Sequence, residues 1–250
     1  MTFTRRNALQ ALGLAAGAGA AAAANLGSSP AAQAAGTDPE LQAELEACTP
    51  TGDLLEDLLQ RNRIFSKAWQ RSSQVKDPQQ RMQIQKAIFR SGCQINPAAL
   101  AEGQRPWAGL LSCADARVAP EWMLGLGSGE LFQVRVAGNS AFNDGIASLE
   151  YAVAVLEVPL LLVIGHSGCG AVKAAMSTKP LTPLLEELVA PIRTILQPGD
   201  DLSKAIQANA RHAAAELTRR SPTLADAKAT GKLRIQPVVF DLQTGLISLI

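Results

Sequence analysis

Two short segments concentrate the residues of this chain that can do chemistry: CADARV at Cys113–Val118 and HSGCG at His166–Gly170. The 250 residues include only four cysteines and two histidines, and these segments hold two of the former and one of the latter. Cys113, His166 and Cys169 offer two thiolates and an imidazole, a donor set that suits zinc. Three protein ligands also leave a fourth position open to water. Alternate side chains of an extended segment share a side, so Cys113, Asp115 and Arg117 can face one pocket. Each residue alone has a plainer explanation. A strand-end cysteine is usually a small buried apolar group, and an Asp two places before an Arg is usually a surface pair worth under about 1 kcal/mol. What argues against coincidence is that both segments fall at equivalent places in the chain.

Those places are the ends of apolar runs. WAGLLS leads into Cys113 and PLLLVIG into His166, while LFQVRV is a third run of the same kind. Helical stretches lie between and after them, at DGIASLEYAVAVLE, around 181–196 and over 201–219. Continuous apolar strands alternating with helices predict an α/β fold with a mostly parallel central sheet covered on both faces. Ligands of such sheets sit beyond the carboxyl ends of the strands, where Cys113 and His166 both land. A closing strand pair, KLRIQPVVFDL and GLISLI, is joined at Gln243–Thr244–Gly245. Ahead of the sheet, Leu54, Leu55, Leu58, Leu59 and Phe65 recur at helical spacing with Thr51 as N-cap. A second helix has Asp77 as cap, Pro78 at its first position, Gln80 at the capping-box position and Gly92 at its stop. Together these form an N-terminal helical arm. His212 lies in a charged helical stretch and reads as a surface residue.

Composition bounds the partners. The hydrophobic content of 47% and charged content of 18% describe a globular core. A net charge of +1 without a long basic run leaves no footprint for nucleic acid. The start of the chain differs: Arg5–Arg6, an uncharged Ala/Gly-rich stretch and AAQA at Ala31–Ala34 read as an export signal. The arginine pair before a weakly apolar stretch is twin-arginine-like. Cleavage after Ala34 gives residues 1–34 as signal and 35–250 as a single domain, exported to a periplasmic or extracellular space without stable membrane insertion. Cys48 and Cys93 are left as a disulfide or as two isolated thiols.

CADARV and GHSGCGA resemble the two signature segments of the β-class carbonic anhydrases. GQRP, ELFQVRVAGN, SLEYAV and FDLQTG also resemble that family, and the likeness runs from about Asp53 to the C-terminus. It implies one Zn²⁺ per chain on Cys113, His166 and Cys169, and reversible hydration of carbon dioxide to bicarbonate and a proton by zinc-bound hydroxide. It further implies that Asp115 binds the metal in a closed state or pairs with Arg117 in an open one. Gln104 and the backbone N–H of Gly170 would bind substrate, and Phe132 and Tyr151 would wall a small apolar pocket at the interface of a dimer or tetramer. The chain departs from the family's pattern at Val136, where RVAGN replaces an RNxxN-type segment. It departs again at Val155, where plant-like members carry a histidine. Leu110 replaces a tryptophan found in bicarbonate-regulated members, so the chain is more plant-like. A carbonyl sulfide or carbon disulfide hydrolase using the same site and a noncatalytic zinc or redox-sensing protein are the alternatives.

Overall fold

The computed structural model describes residues 48–86, 93 and 95–250. The export segment and the Gly92 stop signal lie outside them. Helix α1 (Leu54–Ser73) and α2 (Pro78–Lys86) form the arm, followed by a short α3 (Pro97–Glu102). Strands β1 (Ala108–Ser112), β2 (Leu131–Arg135), β3 (Leu160–His166), β4 (Arg234–Phe240) and β5 (Ile247–Leu249) make one sheet of order β2-β1-β3-β4-β5. The first four run parallel and β5 returns antiparallel to β4. Helices α4 (Pro120–Leu124) and α5 (Asn143–Ala154) connect β1 to β2 and β2 to β3. Four more, α6 (Gly170–Met176), α7 (Pro183–Arg193), α8 (Leu202–Arg220) and α9 (Pro222–Ala229), lie between β3 and β4.

Every residue of β1 and β3 is buried, as a strand covered on both faces requires. Alternation sends Leu110, Leu162 and Ile164 to one face, where they meet Leu55, Leu58 and Phe65 of α1. Leu111, Leu161 and Val163 go to the other face, against α5, α8 and α9. Phe65 stacks on Trp69 and meets Trp122 edge-on, with ring centroids 5.6 and 5.1 Å away. Burying such a ring contributes roughly 1.5–3 kcal/mol. Asn62 fixes the arm to the last strand: it donates to the carbonyls of Met123 and Gly245 and accepts from the Ile247 N–H at 2.7 Å.

The cap of α1 is Asp53, not Thr51. Its carboxylate accepts from Leu55 and Glu56 N–H at 2.9 and 3.1 Å, and an anion there also favours the helix dipole. Asp77 caps α2 as expected, accepting from Gln79 N–H. Cys48 and Cys93 form a disulfide that ties the start of the arm to the segment before α3. Among the described residues no helix is long and apolar enough to cross a membrane.

The topology singles out one place. The chain leaves β1 toward β2 on one side and leaves β3 toward β4 on the other, so the connections diverge between two neighbouring strands. A crevice must open beyond the carboxyl ends of β1 and β3.

Candidate metal centre

Cys113 follows the last residue of β1, His166 is the last residue of β3, and Cys169 sits at the N-cap of α6. All three are buried, and their donor atoms lie within 4.8 Å of one another. The two sulfurs are 4.0 Å apart. Gly168, at φ +69°, makes the left-handed turn that brings Cys169 back toward His166. Ser167 locks this turn to β4, donating its N–H to the Phe240 carbonyl and accepting from Leu242 N–H.

The imidazole shows which way the site faces. His166 Nδ1 lies 3.1 Å from the Ser167 carbonyl oxygen, which only accepts, so Nδ1 carries the proton. The lone pair is therefore on Nε2, which is buried with no hydrogen-bond partner and aims at the sulfurs. An orphaned nitrogen of this kind costs about 1–3 kcal/mol unless something occupies it. The sulfurs make the same demand. The Cys113 thiol is pulled far below its ordinary pKa by the Cys169 S–H beside it, against the cost of burial, with further help from the Gly138 N–H. Cys169 is pushed up by that neighbour and by burial. Two sulfurs and an imidazole lone pair converging on one point fit a divalent metal, whose binding would displace the remaining thiol proton.

Asp115 and Arg117 meet through a turn, not through the alternation of an extended segment. Arg117 N–H donates to Asp115 Oδ1 at 2.9 Å, and its guanidinium forks onto Oδ1 and Oδ2 at 2.9 and 2.7 Å. Three donors hold the Asp115 carboxyl well below the usual carboxylate range, against partial burial. Asp115 Oδ2 stands 3.8 Å from His166 Nε2, at the edge of the cluster. Arg117 also reaches the Gly168 carbonyl at 3.4 Å, linking the two ligand loops.

Residue-type reasoning missed Arg135. At the end of β2 its guanidinium donates to the carbonyls of Cys113 and Asp115 at 3.1 and 3.0 Å and also to that of Val118, gathering the CADARV loop. The signal was a cation ending an otherwise half-buried strand. His212, read as a surface residue, is half-buried beside a small cavity with Ser140, Asn209 and Glu216.

Of the four proposed pocket residues, Gly170 adjoins this cluster and the other three lie apart from it within one chain. Gly170 opens α6 directly after Cys169, with open space where a Cβ would stand. Gln104, however, precedes β1, and Cys113 follows its five residues, a strand length of about 16 Å. Phe132 pairs with Gly109, also near the amino end. Tyr151 packs against Phe132 with ring centroids 6.2 Å apart, and at 46% exposed it is not a core residue.

The carbonic anhydrase family model matches residues 108–247, more than half of the chain. The chain belongs to the β-class carbonic anhydrases. Carbonic anhydrase 2 of Mycobacterium tuberculosis is 40% identical over 158 residues, 59% of this chain and 76% of that protein. The β-carbonic anhydrase CafA of Aspergillus fumigatus superposes with a TM-score of 0.57 at 25% identity, over 61% of this chain and 79% of that one. One of the tetrameric β-carbonic anhydrases of Sordaria macrospora gives 0.55 at 27% identity, over 61% and 84%. Zinc is the metal of β-class carbonic anhydrases, and among the described residues Cys113, His166 and Cys169 are able to hold a metal ion.

Proposed function

We propose that the chain hydrates carbon dioxide reversibly to bicarbonate and a proton, with Asp115 and Arg117 as its gate. The observation that carries this reading is the bidentate Arg117–Asp115 pair beside the three donors. It draws the carboxylate of Asp115 onto a guanidinium and leaves the cluster one corner short of four ligands. Zinc in such a seat supplies a water acidic enough to ionise near neutral pH. Asp115 Oδ2 accepts a hydrogen bond from the attacking water and so orients it. Arg117 keeps that carboxylate ionised and in place, and Arg135 fixes the loop that carries both. The Gly170 N–H, next to Cys169, is the donor for the developing bicarbonate oxygen.

Gln104, Phe132 and Tyr151 then serve the site of a second copy, in a dimer or tetramer. Their separation from the cluster in one chain supports this, and an exposed Tyr151 beside Phe132 suits a shared apolar wall. The protein is more plant-like than bicarbonate-regulated, because Leu110 is a buried sheet residue where the regulated subtype has tryptophan. It is exported through its twin-arginine-like segment, folded and metal-loaded, which spares the ligand thiols from oxidation. The Cys48–Cys93 disulfide suits an oxidising compartment.

Stopped-flow hydration assays of the zinc-loaded protein, run beside carbonyl sulfide assays, test the reading. Carbon dioxide turnover that rises toward alkaline pH supports it. Hydrolysis of carbonyl sulfide without hydration of carbon dioxide overturns it.

A further inference from the structure

Helix α8 presents Ala205, Ile206, Ala210, Ala213 and Leu217 to the sheet, all nearly inaccessible. One polar residue interrupts this face: Asn209, 2% exposed. Burying an amide is costly unless it is bonded, and alanine would suit the face as well as its neighbours do. Asn209 is explained by what it touches. Its Nδ2 donates to the Gly138 carbonyl at 2.7 Å, and the Gly138 N–H donates to Cys113 Sγ at 3.3 Å. The turn between these bonds is built for close quarters. Gly138 has φ +77°, and a Cβ there would lie 2.9 Å from Ile192 and 3.0 Å from Ala171. The same helix also touches the other ligand strand. Gly165, next to His166, packs closely on the helix, since a Cβ would come within 3.2 Å of Ile206 and 3.3 Å of Ala210.

We infer that Asn209 is a positioning residue for the metal: through the Gly138 turn it aims a backbone N–H at the Cys113 sulfur and so sets how strongly that sulfur binds. The physical basis is general. A hydrogen bond to a ligating thiolate withdraws charge from it, and partners one shell out orient the ligand and tune the metal. Without the Asn209 bond the turn is free to rotate its N–H off the sulfur. Cys113 then becomes a less well-fixed ligand, and that loss outweighs its stronger donation. The inference rests on Cys113 being a metal ligand, and the test keeps the two apart.

The test compares wild-type protein with Asn209→Ala, Asn209→Leu, which fills the volume, and Asn209→Asp, which keeps the shape but cannot donate while ionised. Each is loaded with Co²⁺ for absorption spectroscopy and titrated with Zn²⁺ against a chelator. Wild type should show a sulfur-to-cobalt charge-transfer band that weakens in Cys113→Ser, which leaves Cys169 as the remaining thiolate. A wild type without the band removes both the metal-site reading and this inference. If Asn209 acts as inferred, the folded variants shift that band and bind zinc about 10- to 100-fold more weakly. An unchanged band and affinity in folded Asn209→Ala and Asn209→Leu would overturn it. A lowered melting temperature of the metal-free protein with an unchanged band would also overturn it, by making Asn209 merely structural.

Discussion

At the carboxyl ends of β1 and β3, buried cysteines and a histidine crowd around one point, and the bonds of Arg117, Arg135 and Ser167 tie their loops together. At the amino ends of the same sheet, Gln104 and Tyr151 stand exposed, and Phe132 is only half-buried. One edge gathers its groups within a single chain, and the other leaves polar and aromatic groups at the surface. The contrast makes the metal seat a property of the fold, and under the proposed function it makes the substrate pocket a property of the assembly.

The largest effect should come from breaking the carboxyl edge. Cys169→Ser should weaken zinc binding by more than about 100-fold, beyond what loss of a supporting residue costs. Chelator competition measures this, and a fully loaded variant would refute the ligand set. The same titration run against pH should show affinity dropping as pH falls. Binding must expel the proton that Cys169 holds with a raised pKa, which is about tenfold per pH unit for each proton released. Next, Arg117→Ala should keep its zinc and lose roughly 100-fold in kcat, the lower end of what a positioned acid–base group supplies. Normal turnover would remove the gate. The amino edge should respond more mildly. Gln104→Ala should lose about tenfold in kcat/KM, the worth of one polar contact. Mixed with Cys169→Ser under conditions that exchange subunits, it should give more activity than the sum of the two variants measured separately. No recovery would place Gln104 outside any shared site. The smallest effect should follow reduction of Cys48–Cys93, which removes about 2–4 kcal/mol of stability. The melting temperature should drop without loss of zinc.

The sequence carried the two edges unequally. β1 and β3 were legible because strands buried on both faces read as unbroken apolar runs, and the ligands followed directly from where those runs stop. Asp115 and Arg117 were paired correctly for the wrong reason. Alternation suggested a common side, but an Asx-type turn is what joins them, and local side-chain bonds of that kind leave no periodic trace. Thr51 lost to Asp53 because both residue types cap well and only the register of the helix decides between them. Arg135 and Asn209 were invisible for a different reason. Each acts on a backbone carbonyl many residues away, at Cys113 and Gly138, and a carbonyl carries no residue identity to recognise. Gln104 came from the family resemblance alone, since neither its residue type nor its place before β1 marks it out.

The account depends most on three donors sharing one ion with a corner to spare. X-ray absorption at the zinc edge counts those donors directly. It should find one zinc per chain with two sulfur and two nitrogen or oxygen neighbours at the distances of four-coordinate zinc. A zinc with fewer than two sulfurs, or a protein that cannot retain the ion, would contradict it.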